Sequence, residues 1–296
     1  DIEWRESHKR TQRCIVNVHL IPRFGRTPIS EIAPSMILEF RSELATLRGK
    51  SGRISNTRIN KILMVLRMIL TEAASRFNFS LTCPQIQQPR VARSKIEHLT
   101  LEEVLLILQS VRPDFKNYYT VRFFTGMRTG EIDGLVWRNV DFQRRQIQVH
   151  QALTLGKIVP PKTDGSYRSI AMSGMVFEAL KAQELVTRKH SEYVFATNTG
   201  TPLDNKNVSA RVWYPLLRHL NLSQRRPYQT RHTAATLWLA AGESPEWIAN
   251  QMGHSTTEML FRVYSRYVPN LTRQDGSAFE RLLEEQSKVP KPYTQE

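Results

Sequence analysis

Close to its C-terminal end the chain reads Arg231-His232-Thr233, then Met252-Gly253-His254, then Tyr264. Each of these residue types does a different job on one phosphodiester. An arginine neutralises non-bridging oxygens, a histidine donates a hydrogen bond to them, and a tyrosine hydroxyl is a nucleophile. Converging on one phosphate, they would open it by covalent attack.

Three further segments carry residues suited to the same anion. In Thr125-Gly126-Met127-Arg128-Thr129-Gly130-Glu131 two glycines bracket Arg128, which predicts a helix-to-helix turn with free backbone amides. Glu131 is placed to hold that guanidinium or its neighbours. In Lys162-Thr163-Asp164-Gly165-Ser166-Tyr167-Arg168 the lysine sits at the edge of a predicted turn, where it either reaches a leaving oxygen or serves only solubility. In Tyr228-Gln229-Thr230-Arg231-His232, Thr230 is the expected helix cap, which sets Arg231 and His232 in a positive first turn. His254 in a turn and Tyr264 at a helix end also suit purely structural roles.

The elements that must position these residues are mostly helical. Over residues 55–77, Ile59, Ile62, Leu63, Leu66, Ile69, Leu70 and Ala73 recur at helical spacing, with Ser55 or Asn56 as cap. Arg58 and Lys61 lie on other faces of that helix. Ile37, Phe40, Leu44 and Leu47 predict a helix ending before Gly49. Residues 1–83 therefore read as a small helical bundle with basic faces. Residues 84–98 show no period, and Arg90, Arg93 and Lys95 mark them as an exposed basic linker. Thr100-x-x-Glu103 is a capping box that opens a second, mixed and mostly helical domain over 99–270. One stretch, Gln146 to His150, alternates as a strand does, and Tyr167 to Ile170 is a second strand, with Asp164-Gly165 as the turn of a small hairpin sheet. Helices are expected at about 173–188, 204–219, 230–241, 244–252 and 255–263, followed by a tail over 271–296.

Charge points the same way as the motifs. The 296 residues hold 42 Lys+Arg against 27 Asp+Glu, a net +15. Residues 1–95 alone carry +10, which argues for a polyanionic partner of that segment. The only cysteines, Cys14 and Cys83, form no CxxC, so no structural metal and no disulfide framework is expected. No apolar run has the length of a membrane span.

Together the segments resemble the tyrosine recombinase (phage integrase) family from about 97 to 268. The order Arg, Lys, Arg, His, Tyr matches, and TGMRTGEIDGLVW, RHTAAT and MGHS are similar to the family's signature boxes. The resemblance implies that Arg128 and Arg231 grip the scissile phosphate and that Lys162 protonates the departing 5′ oxygen. It makes His254 the hydrogen-bond donor and Tyr264 the nucleophile. It also implies a core-binding role for the N-terminal bundle, with Arg58, Lys61, Arg90, Arg93 and Lys95 as DNA contacts. No metal or nucleotide cofactor is needed. The implied partners are double-stranded attachment sites, a homotetramer on DNA and accessory DNA-bending or excision factors, in the bacterial cytoplasm and at the nucleoid during recombination.

Two departures stand out. The family usually has a histidine three residues before the second arginine, where this chain has Tyr228, a poor base at neutral pH with a reference pKa of about 10. His232 is the nearby alternative acceptor for the Tyr264 proton. Many members place the tyrosine nine residues after the histidine, which here is Val263, so Tyr264 is favoured over Tyr267. The family's habit also predicts an arm-binding domain ahead of Asp1, and Phe279, Leu282 and Leu283 suggest that the tail packs on a neighbouring protomer. Two rivals remain at this level: a type IB topoisomerase, which would relax plasmid lacking any recombination site, and a catalytically silent DNA-binding protein, which would trap no adduct.

Overall fold

The structure is a computed structural model that describes residues 4–49, 52–78, 86–92, 97–161 and 167–264. The chain divides between Lys95 and Ile96 into two compact units.

In the first unit α1 (Glu6–Ile15) runs through a π-helical turn at Val16–Leu20 into α2 (Ile21–Phe24). α3 (Pro34–Thr46) and α4 (Asn56–Phe77) follow, joined by the two-residue strands β1 (Arg48–Gly49) and β2 (Gly52–Arg53). These strands pair antiparallel, with Arg48 opposite Arg53, an element that the helical reading lacked. The cap of α4 is Ser55, whose side chain accepts from the Arg58 amide. Ile59, Ile62, Leu63 and Leu66 of α4 are buried against Ile37, Phe40 and Leu44 of α3. Burial of each such side chain stabilises by about 1.5–3 kcal/mol. The segment after α4 is not a free strap over its described residues 86–92. Asn56 and Asn60 donate to the carbonyls of Arg90 and Pro89, and Arg41 donates to that of Gln87, while Ile86 packs on the core.

The second unit opens as its capping box requires. Thr100 accepts from the Glu103 amide, Glu103 accepts from the Thr100 amide, and α5 (Leu101–Ser110) follows. α6 (Pro113–Thr125) starts on a proline and ends at Gly126, whose φ of 60° is the left-handed turn that glycine adopts most readily. α7 (Thr129–Asp133) comes directly after it.

The sheet is larger than the expected hairpin. β3 (Val140–Asp141), β4 (Gln146–Val149) and β7 (Arg168–Ala171) form an antiparallel sheet in the order β3-β4-β7. A separate hairpin, β5 (Ala152–Thr154) and β6 (Lys157–Val159), intervenes, turning at Leu155-Gly156 with φ of 52° and 74°. The Asp164-Gly165 turn lies outside the described residues.

α8 (Gly174–Thr187) packs on α6. α9 (Asn205–Val208) passes through a π-helical turn into α10 (Tyr214–His219). α11 (Gln229–Ala240) lies on α6 and is followed by α12 (Pro245–Met252) and α13 (Glu258–Tyr264). α13 begins later than the expected Ser255. No helix among the described residues is long and apolar enough to cross a membrane.

A Cβ added at Gly126 would lie 3.1 Å from the Trp238 ring of α11, on a backbone at φ 60°. Gly126→Ala is therefore expected to cost about 1–2 kcal/mol from the left-handed backbone alone, read as a lower urea midpoint. An unchanged midpoint would contradict this account of the turn.

Candidate active site

Arg128 occupies the N-cap of α7, in the turn between α6 and α7. Glu131, on the first turn of α7, accepts from the Arg128 amide at 2.8 Å with Oε2 and from its Nη1 at 2.8 Å with Oε1. Nη2 of Arg128 donates to the Gly253 carbonyl at 3.1 Å, and the side chain stays one-third exposed. The same carboxylate holds a second arginine. Arg168 on β7 donates to Oε1 at 3.1 Å and to Oε2 at 2.8 Å, and its Nε reaches the Gln251 carbonyl at 2.7 Å. Burial works to raise the Glu131 pKa. Hydrogen bonds and charge from Arg168, then the bonds from Arg128, outweigh burial and bring it down to about 2.

Arg231 lies on the first turn of α11 and is 2% exposed. It donates to the Gly126 carbonyl at 2.6 Å and to the Met252 carbonyl, and its Nη2 lies 3.1 Å from Nε2 of His254. Burial, then the nearby Arg128, lowers its pKa to about 10, so it is still charged at neutral pH. Thr230 is not the cap of this helix. Tyr228 takes the N-cap without a side-chain bond. Thr230 is buried instead, with its hydroxyl donated to the Pro227 carbonyl at 2.8 Å and accepting from Arg122 at 3.1 Å.

His254 follows Gly253, which ends α12 at φ 65°. A guanidinium only donates, so Nε2 accepts from Arg231 and a neutral ring carries its proton on Nδ1. Nδ1 is buried without a partner among the described residues. Burial, then Arg231, Arg128 and Arg168, brings the His254 pKa down to about 4.

Tyr264, the last described residue of α13, is 2% exposed, in a cluster with Ala235, Leu239, Met252 and Leu260. Its hydroxyl oxygen is 2.7 Å from Nδ1 of His232. Burial pushes the phenol pKa up, and Arg231 opposes the shift only in part. Burial and the charge of Arg231 bring His232 down to about 4, so at pH 7 the ring is neutral and one nitrogen is an acceptor. The ring of Tyr228, about half exposed, meets His232 edge-on at 5.2 Å.

The structure thus gathers Arg128, Glu131, Arg231, His254, His232 and Tyr264, with Tyr228 at the margin. Lys162, Arg93, Lys95 and Tyr267 lie outside the described residues. Arg58, half-buried, stands close enough to His19 to lower its pKa, after burial, and Lys61 and Arg90 are exposed; all three belong to the first unit. No cluster of metal-ligating side chains occurs among the described residues. Sequence reading missed two buried arginines. Arg168 looks like any strand-end cation. Arg122, in Val121-Arg122-Phe123-Phe124, is a lone charge in an apolar run, the one signal that would have found it.

The model of the phage integrase family matches residues 97–270. The prophage integrase IntR of Escherichia coli (strain K12) is 28% identical over 280 residues, covering 83% of this chain and 68% of that protein. The integrase of transposon Tn1549, solved in complex with a circular intermediate DNA, superposes with a TM-score of 0.77 at 21% identity, over 95% of each chain. A lambda integrase tetramer bound to a Holliday junction gives a TM-score of 0.65 at 16% identity, over 92% of this chain and 74% of that one. At these identities the structural likeness shows a shared fold.

The Glu131 geometry has a pH signature. Its folded pKa of about 2 lies below the ordinary 4.5, so its stabilisation is present above pH 4.5 and fades as pH falls towards 2. The melting temperature of Glu131→Gln is expected to lie well below wild type at pH 7, with the gap closing across that window. A gap constant from pH 7 to 3 would count against the ion-pair account.

Proposed function

Because the chain belongs to the phage integrase family, we propose that it is a site-specific DNA recombinase that cuts and rejoins strands through a 3′-phosphotyrosine. The observation that carries this reading is the reach of one buried side chain. Arg231 touches the Gly126 carbonyl beside Arg128, the Met252 carbonyl and His254, while the next residue, His232, meets the Tyr264 hydroxyl.

In the proposed step the Tyr264 oxygen bonds to phosphorus and the bond from phosphorus to the 5′ oxygen breaks. Arg128 and Arg231 neutralise charge on the non-bridging oxygens, and His254 donates a hydrogen bond once it turns from Arg231 to the phosphate. The phenol proton passes to Nδ1 of His232, and Lys162 protonates the leaving 5′ oxygen. The free 5′ hydroxyl of a partner strand reverses the sequence and reseals the break. Tyr228 gives His232 a wall and contributes no base, in keeping with its edge-on ring.

We assign duplex attachment DNA as substrate, exchange within a homotetramer through a Holliday junction, and accessory DNA-bending or excision factors as further partners. Arg58, Lys61, Arg90, Arg93 and Lys95 are assigned to the DNA backbone, with residues 1–83 as a core-binding domain, 84–98 as its linker and 271–296 as a tail packed on a neighbour. The +10 surplus of residues 1–95 supports that placement. The setting is the bacterial cytoplasm, at the nucleoid during exchange.

A duplex nicked near the cleavage site lets the short leaving strand diffuse away and traps the covalent adduct. Wild type is expected to accumulate adduct and Tyr264→Phe none, with equal DNA binding in both. Wild type that binds this DNA without forming adduct would overturn the recombinase reading. His232→Gln is expected to slow adduct formation by about 10²- to 10⁴-fold, the usual worth of a general base, whereas Tyr228→Phe is expected to stay within a few-fold of wild type. The reverse ranking would move the base to Tyr228.

A further inference from the structure

Behind the two arginines lies a buried polar chain that the proposed reaction does not use. Arg122, on the last turn of α6, is 2% exposed. Its Nη2 donates to the Thr129 hydroxyl at 2.7 Å, its Nε to the Thr230 hydroxyl at 3.1 Å, and its Nη1 to the Tyr118 hydroxyl at 2.7 Å. Tyr118 in turn donates to Oδ1 of Asp133 at 2.8 Å. Thr129 is the residue after Arg128, and Thr230 is the residue before Arg231.

We infer that Arg122 is a positioning residue that sets the spacing of Arg128 and Arg231 by clamping the threonines next to them. The inference rests on the recombinase reading. A guanidinium is planar and its N–H groups point in fixed directions, so three simultaneous acceptors fix the first turns of α7 and α11 relative to α6. The arrangement is costly for stability alone. Taking a cation out of water is unfavourable, and an apolar side chain of similar volume is often as stable. No carboxylate forms an ion pair with Arg122 among the described residues; Asp133 balances it at one remove, through Tyr118. Burial raises the Asp133 pKa to about 6, with Arg122 and Tyr118 opposing and Asp204 adding to the rise. Thr230 is fully engaged, receiving from Arg122 and giving to Pro227, which accounts for its failure to cap α11.

The test is single-turnover adduct formation on saturating nicked DNA, with DNA affinity and melting temperature measured on the same samples. Arg122→Gln and Arg122→Lys are expected to slow adduct formation by about 10- to 100-fold, the effect of misplacing reacting groups by about an ångström, at unchanged affinity. Thr129→Val, which keeps the shape but loses the hydroxyl, is expected to be several-fold slower. Thr129→Ser, which keeps the hydroxyl but loses the methyl, is expected to match wild type. If the Arg122 variants do not fold, the Thr129 pair decides the question. Equal rates for Val and Ser, or slowing that follows melting temperature or affinity, would overturn the positioning role. Failure of wild type itself to form adduct is a separate result, and it would remove the recombinase reading first.

Discussion

The repulsion among buried and half-buried arginines is the constraint that this catalytic unit is built around. Arg128, Arg168 and Arg231 lie close enough for each of the first two to depress the pKa of the third. Glu131 is the carboxylate that permits the arrangement. It binds Arg128 and Arg168 together and caps α7 at the same time. One negative charge against three positive ones leaves an excess of positive charge, and it leaves Arg128 partly exposed. A site with its cations fully paired would be more stable and would have less attraction for a phosphate. The same carboxylate links β7 to α7, and Arg168 extends that link to the end of α12 through the Gln251 carbonyl. The sheet, the α7 turn and the His254 turn are thereby held as one piece.

The parts of this site legible in sequence were those governed by local rules. The glycine at 126 foretells the left-handed end of α6, the Thr100 box forms as written, and Gly253 ends α12 where expected. What sequence hid depends on distant partners. Thr230 looks like a cap because threonine before a helix usually is one. Here a buried guanidinium from α6 claims its hydroxyl, and the N-cap falls two residues earlier, on Tyr228. The β5–β6 hairpin has only Leu155-Gly156 as its turn signal, and its strands are too short and too exposed to alternate visibly. Arg168 was unreadable because an arginine in sequence is presumed solvated, and only tertiary structure supplies the acceptors that bury it; Arg122 carried only the weak signal of a charge inside an apolar run.

Tyr228 becomes less anomalous once the geometry is considered. The proposed mechanism needs a base at the phenol, and His232, one turn beyond residue 228 on α11, lies 2.7 Å from the Tyr264 hydroxyl. At rest this base is weak. Burial and Arg231 lower His232, and burial raises Tyr264, so both shifts oppose transfer of the phenol proton to the imidazole.

On the proposed mechanism, substrate changes that balance. The positive charge that lowers both histidines comes chiefly from Arg231, after burial itself. A phosphate bound by Arg231 and Arg128 brings a negative charge into the same space, and an anion raises the proton affinity of a nearby imidazole. His232 becomes a better acceptor and His254 a better donor only when the phosphate is seated. The same anion disfavours a free phenolate on Tyr264, so loss of the phenol proton must accompany formation of the phosphorus–oxygen bond. Keeping the nucleophile protonated and buried until then protects the site from idle chemistry. Arg231, which binds the phosphate in that mechanism, is also, after burial, the group that lowers His232 and His254 without it.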